Sequence, residues 1–289
     1  MRSLFLLLLL VSVVPLTAQS RISGSEIIAM LDDGKDISLE NATITGDLDF
    51  TKLEDREKER KDGWGSQDNY RMHVRNKLSF VGCTFERKVL GYYSERDGKD
   101  GSNGWGGRQG SDGRSGSSGK ALYNVDFHDA VTFSNCKFTE DAHFKYSRFY
   151  DEATFANSRF ARDAKFKYAR FDTEVSFSNT LYRGEVDFKY TDFDEAVSFA
   201  SADFSDDADF KHTKFPESVN FSKAVFGDDA DFKYTNFKWG VNFSGTTFED
   251  SADFKYAKFS GDSDFTSTDF GRDADFKYAT VNGRKWKTM

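Results

Sequence analysis

The chain has 289 residues, among them 31 Phe and 2 Pro, with 30% charged residues and a formal net charge of -8. Its mean hydropathy is -0.65, and beyond the first twenty residues no apolar run approaches a membrane span, which excludes a polytopic membrane protein. Richness in aromatics argues against disorder, and a pI of about 5.2 argues against a general nucleic-acid binder.

The N-terminus reads first. Arg2, the apolar run Leu4–Val14, Pro15 and the small Ala18 have the order of a secretory signal peptide over residues 1–18, with a cut after Ala18. The expected destination is outside the cytoplasm: periplasm, cell surface or medium. Residues 19–38 then form a lead-in. Ser23 and Glu26 have capping-box spacing ahead of Ile27, Ile28 and Leu31, with Gly34 as a stop. This predicts a short helix over Ser23–Asp33 that plugs the first coil of the repetitive body.

That body, residues 39–281, has a distinctive period. Phenylalanines at 127, 133, 138, 144, 149, 155, 160, 166, 171 and 177 step alternately by six and five, and after Leu181-Tyr182 the series runs on to 276. Neither a helix nor a long strand has this period. It fits a chain that turns a corner after each short side and points one Phe inward per side. Phe-Lys-Tyr recurs every 22 residues at Phe144, Phe166, Phe188, Phe232, Phe254 and Phe276, with Phe-Lys-His at Phe210. A coil of four sides, alternately five and six residues, would stack each residue on its equivalent 22 later. Two residues before each Phe the side chain is small (Ala164, Ala169, Val175, Thr180, Val186), as a narrow closed core requires.

The units Ala208-Asp209-Phe210-Lys211-His212, Ala230-Asp231-Phe232-Lys233-Tyr234 and Ala274-Asp275-Phe276-Lys277-Tyr278 resemble those of the pentapeptide-repeat family, with Phe at the centre and an extra residue in every second unit. The resemblance implies an all-β fold, a right-handed quadrilateral parallel β-helix, and the length of the body leads us to expect about eight or nine coils. Solenoid stability grows with coil number, and open ends need caps. Residues 282–289 form a tail too short for much of a plug, so the last coil is a candidate homodimer contact.

Two stretches interrupt the pattern. Residues 54–76 are highly charged and contain Trp64, and 91–119 are rich in Gly and Ser and contain Trp105. The core is expected to resume in phase after each, with Phe80 and Phe85 matching Phe133 and Phe138, and Leu122 matching Phe144. Irregular aromatics in polar loops are candidate anchors for a partner, and they equally suit folding back over exposed Phe edges.

Within the repeats, Cys83 and Cys136 occupy equivalent small inward positions. Adjacent coils suit the Cα separation of a disulfide, while parallel in-register Cβ vectors suit it poorly, so a bridge and two packed thiols both stand. The ladder Lys145, Lys167, Lys189, Lys211, Lys233, Lys255 and Lys277 is interleaved with Asp187, Asp209, Asp231, Asp253 and Asp275, each two residues before a lysine, as a solvated ion-pair network would be. Its sharper reading is a docking face for an anionic or sugar chain, with Lys189, Tyr190, Lys233 and Tyr234 at its centre. The opposite side presents small residues such as Thr154, Ser176, Ser198, Asn220 and Asn242. Asp163, Glu185, Asp206, Asp207, Asp228 and Asp229 form an acidic ridge, without a complete calcium loop. His73, His128, His143 and His212 share no metal-ligand spacing, and neither a catalytic triad, a phosphate loop nor a cofactor fingerprint is present, so no metal or cofactor is expected.

The leading expectation is an exported, non-enzymatic scaffold for a protein or glycan partner. The family resemblance also implies a DNA-mimicking inhibitor of gyrase as an alternative, which the signal peptide and Lys ladder disfavour. A β-helical polysaccharide-acting enzyme would need convergent carboxylates in a cleft, whereas these acids run along a ridge.

Overall fold

The computed structural model describes residues 20–59, 68–95 and 121–286. Trp64, Trp105 and the predicted signal peptide lie outside the described residues. The chain winds into a parallel β-solenoid of about ten coils, each of about 22 residues. One coil shows the scheme: Val175–Ser176, Leu181–Tyr182, Val186–Asp187 and Asp192–Phe193 each lie on a different face, and Val197–Ser198 returns to the first. Pairing is in register throughout this coil, with Val175 opposite Val197, Leu181 opposite Asp203, Val186 opposite Ala208 and Arg170 opposite Asp192. Four flat faces of stacked two-residue strands result.

The alternation of five and six has a local cause. Every five-residue side passes through a residue with positive φ, such as Tyr168 (59°), Asn179 (55°), Tyr190 (58°) and Ser201 (55°). The turn is closed by a hydrogen bond from the fourth residue to the Phe carbonyl, as from the Ala169 amide to Phe166 (2.8 Å) and the Thr180 amide to Phe177 (3.3 Å). Positive φ at the third position of a turn normally selects Gly or Asn, because a side chain there costs roughly 1–2 kcal/mol. One row of corners starts by the rule with Asn135, Asn157 and Asn179 before passing to Ser201 and Lys223, but the other is tyrosine throughout except for His212. Those rings stack in a column: Tyr146 on Tyr168 at 4.8 Å, Tyr168 on Tyr190 at 4.9 Å, Tyr190 on His212 at 4.6 Å. Stacking of about 0.5–1.5 kcal/mol per pair offsets the backbone cost. From Lys189 onward the aspartate two before each ladder lysine caps the same turn, its carboxylate accepting from the lysine amide at 2.8–2.9 Å in Asp187, Asp209 and Asp231.

Inside, each Phe stacks on its counterpart one coil away and meets neighbouring columns edge-on. Phe166 lies 4.8 Å from Phe188 with planes 4° apart, and 5.3 Å from Phe177 at 75°. Burying each ring contributes about 1.5–3 kcal/mol. The small inward positions do more than make room. Thr180, Thr191, Thr213 and Thr235 each donate a hydroxyl hydrogen bond to a Phe carbonyl of the preceding coil, at 2.8–3.0 Å.

At the N-terminal end the predicted helix forms as α1 (Gly24–Asp32). Ser23 accepts from the Glu26 amide (3.1 Å), and Glu26 accepts from the Ser23 amide (2.7 Å). Ile27 and Leu31 are buried over the first coil. A Cβ at Gly24 would stand 2.1 Å from the Asp47 carbonyl oxygen, so no other residue fits there. The C-terminal end has more of a cap than the tail's length suggested. Arg284–Lys285 folds back antiparallel on Thr280–Val281, and Trp286 stacks on Phe276 at 4.3 Å with planes 8° apart.

Of the two register expectations, one holds and one does not. Phe80 and Phe85 do pair with Phe133 and Phe138. Leu122 does not match Phe144: Val89–Leu90 pairs with Ala142–His143, which places Gly91 in the Phe144 column. The chain completes the third side of that coil before it departs, so a glycine fills a place where a ring was expected. Similarly, Asn69–Val74, within the stretch 54–76, is a rung of the solenoid with Met72 and Val74 buried.

Candidate functional site

Near the N-terminal end one face widens into a flap. Asn69–Val74 and Leu122–Phe127 are six-residue strands paired in parallel, three times as long as the usual rung. Arg56–Lys58 pairs antiparallel with the first, and Tyr92–Ser94 antiparallel with the second. The order Arg56–Lys58, Asn69–Val74, Leu122–Phe127, Tyr92–Ser94 makes a four-stranded patch. Residues 60–67 and 96–120, which carry Trp64 and Trp105, connect its outer strands to its inner ones.

Alternation sorts the flap residues. On the side continuing the core, Tyr70 stacks on Tyr123 (5.2 Å, 14°), Arg56 and Lys58 stand 5.8 Å from the Tyr70 ring, and the Tyr123 hydroxyl donates to Glu95 (3.3 Å). Burial and the neighbouring Glu95 carboxylate push the Tyr123 hydroxyl above its ordinary pKa.

The other side carries a polar cluster. Asp126 is 3% exposed and accepts from the Arg71 guanidinium at 2.7 Å, while the same guanidinium reaches Glu59 at 2.6 Å. Burial works against the charge on Arg71, but the two carboxylates outweigh it and hold the group above its ordinary range. Pairing sets His73 opposite Asp126, and two residues on from Asp126 the Nε2 of His128 lies 2.9 Å from the Nδ1 of His73. His128 stacks on Tyr150 at 4.7 Å. Burial first, then the neighbouring His73 and Arg75, lowers the His128 pKa, so the ring is neutral at physiological pH.

The residues singled out from the sequence fall elsewhere. Lys189 is buried in an ion pair with Asp209, and Tyr190 lies between Tyr168 and His212 in the ring column with only its edge exposed. Lys233 bridges Asp231 (2.9 Å) and Asp253 (3.4 Å), and Tyr234 is 45% exposed. The lysines at the centre of the ladder are thus engaged with its own aspartates. Cys83 and Cys136 are buried free thiols. Each sulfur donates to a carbonyl of the preceding coil, Leu39 (3.4 Å) and Phe80 (3.3 Å), the role that Ser158 plays toward Phe133 (2.8 Å) one coil on. Their mutual contact lowers the Cys83 pKa, and together with burial it raises that of Cys136. On the acidic ridge, carboxylates of Asp206, Asp207 and Asp228 lie side by side and exposed.

Sequence reasoning missed Arg71, Asp126 and the meeting of His73 with His128. The signal was present in Met72-His73-Val74 against Val125-Asp126-Phe127: apolar residues alternate around a polar one in both. Charged surroundings and insertions of unequal length hid the correspondence.

The repeats also match a known family. The family model described as pentapeptide repeats (9 copies) matches residues 122–170, 144–192, 188–236 and 232–280, together more than half of the chain. No curated protein matches, and no solved structure does.

Proposed function

The chain belongs to the pentapeptide-repeat family, and from that premise we propose that it is an exported, non-enzymatic scaffold that holds a protein or glycan partner at the flap and its two insertions. One observation carries this reading. Non-repeating aromatic and charged residues gather on the flap, whereas the body offers nearly the same side chains in every coil. A uniform surface tells one ligand from another poorly, and interface anchors are typically Trp, Tyr and Arg. Tyr70, Tyr93, Tyr123 and Arg71 supply such groups beside the insertions that contain Trp64 and Trp105. The acids of the body run along a ridge rather than facing across a cleft, which favours binding over glycoside hydrolysis. Contact between two copies through the last coil belongs to the same proposal, since Phe265, Phe270 and Phe276 remain partly exposed there.

Replacing residues 96–120 by a Gly-Ser turn tests the reading. The replacement must spare Tyr92–Ser94 and the Glu95–Ala121 pair that closes the hairpin (2.9 Å). Binding is read on purified cell-envelope glycans and on immobilised envelope proteins. The expected outcome is an unchanged melting temperature with binding lost. Undiminished binding by the shortened chain would remove the insertion from the function. For export, mass spectrometry of the protein from its native source is expected to give a start near Gln19. Full-length protein in the cytoplasm would reopen the gyrase reading.

A further inference from the structure

We propose that His73, His128 and Asp126 bind a divalent transition-metal ion of the zinc type. The three residues come from adjacent rungs and project from one face. One ligand atom from each lies within 4.8 Å of the other two. Two nitrogens on a tetrahedral zinc, each about 2.0–2.1 Å from it, stand roughly 3.3 Å apart. His73 Nδ1 and His128 Nε2 are already 2.9 Å apart, so the rings need only part by a few tenths of an ångström.

Surrounding groups suit this assignment. With Nδ1 of His73 toward the ion, its Nε2 faces Glu57 Oε2 at 3.9 Å, and a carboxylate on the far nitrogen is the usual support for a metal-bound histidine. Arg71 holds one oxygen of Asp126 at 2.7 Å, and the other lies 3.5 Å from the Tyr150 hydroxyl. Because Arg71 balances much of the carboxylate charge, the imidazoles dominate the affinity. That selects zinc, nickel or copper over calcium or magnesium, which require several oxygen ligands. The scaffold is rigid: His73 and Asp126 are register partners on paired strands, and His128 is pinned against Tyr150. The inference stands apart from the proposed partner-binding function and would survive its failure.

Equilibrium dialysis of the untagged chain against zinc, with metal content measured by mass spectrometry, tests it directly. The expected result is one ion per chain, with affinity falling about tenfold or more in His73→Gln and in His128→Gln. His212→Gln, in the ring column, is expected to bind as the unaltered chain does. No uptake at micromolar zinc, or equal uptake by all three variants, would overturn the proposal. A second measurement needs no variant. Zinc is expected to slow diethyl pyrocarbonate modification of His73 and His128, but not of His212, in the same sample. Unchanged reactivity at all three histidines would sink the site even if the substitutions disturbed folding.

Discussion

The repeated body and the N-terminal coils share one winding, yet they distribute information differently. In the body, from about residue 144 onward, each inward ring stacks on an aromatic ring of the neighbouring coil. Phe188 lies between Phe166 and Phe210, and Tyr234 between His212 and Tyr256. Strain at a tyrosine corner is tolerated there because the column repeats it. In the N-terminal coils the partners are unlike: His73 faces Asp126, Arg71 reaches across two strands, Gly91 stands where Phe144 leads one to expect a ring, and His143 occupies the place that Asp187 holds later. Repetition supplies stability, and its interruption supplies the residues able to discriminate.

The largest effect separates inward from outward positions in the body. Phe232 is fully buried, and Phe232→Asp is expected to cost on the order of 5 kcal/mol and abolish cooperative unfolding. Lys233→Ala, one residue on, is expected to move the melting temperature by a degree or two at most. Comparable tolerance of the two would break the distinction.

His143 sharpens the contrast from the N-terminal side. It is 1% exposed, and burial first, then the charge of Lys165, lowers its pKa to about 4. The unfolded chain takes up this proton near pH 6.5, whereas the folded chain resists until about 4. Stability is therefore present above pH 6.5, falls as pH drops through that window, and is fully lost below about 4. The loss amounts to about 3 kcal/mol. His143→Leu, the residue that Leu90 supplies one coil earlier, is expected to flatten the fall in melting temperature between pH 6.5 and 4. An identical slope in the variant would assign the acid sensitivity to the carboxylates.

Within the body, Tyr182 is where repetition fails. Its ring stacks between Phe160 and Phe204, but its buried hydroxyl has no hydrogen-bond partner among the described residues. Tyr182→Phe restores the column and is expected to stabilise by about 1 kcal/mol in a denaturant titration. A loss of stability would mean that the hydroxyl has a partner after all.

The smallest effects compare the two positive-φ corners. Ser201→Gly relieves backbone cost without removing a stack and is expected to raise the melting temperature slightly. Tyr234→Gly relieves the same cost but loses contacts at 4.7 and 4.8 Å to His212 and Tyr256, for a net loss of about 1 kcal/mol. The same sign for both would show that stacking does not hold the tyrosine corner.

Much of the body was legible in the sequence because a single spacing determined it. Once Phe-Lys-Tyr recurred every 22 residues, the core column, the lysine ladder and the tyrosine stack were all implied. The corner conformation was not legible, since tyrosine with positive φ contradicts local preference and makes sense only beside its neighbours. The polar cluster was hidden for another reason. His73 and His128 are 55 residues apart in sequence, and a spacing that occurs once has no echo by which to detect it. Trp286 illustrates the same limit: one residue in a short tail covers three rings of the last coil.

The hydrogen bonds that join one coil to the next all run along the rod, and this gives the molecule a mechanical axis. Tension applied between its two ends loads those rows of bonds one coil after another rather than all at once. Each coil that peels away from an end releases about 22 residues of chain, roughly 75 Å of slack at full extension, while the remaining coils stay closed around their own Phe columns. Such a rod yields in equal steps, and a partner held at the flap would stay docked while the far end unwinds.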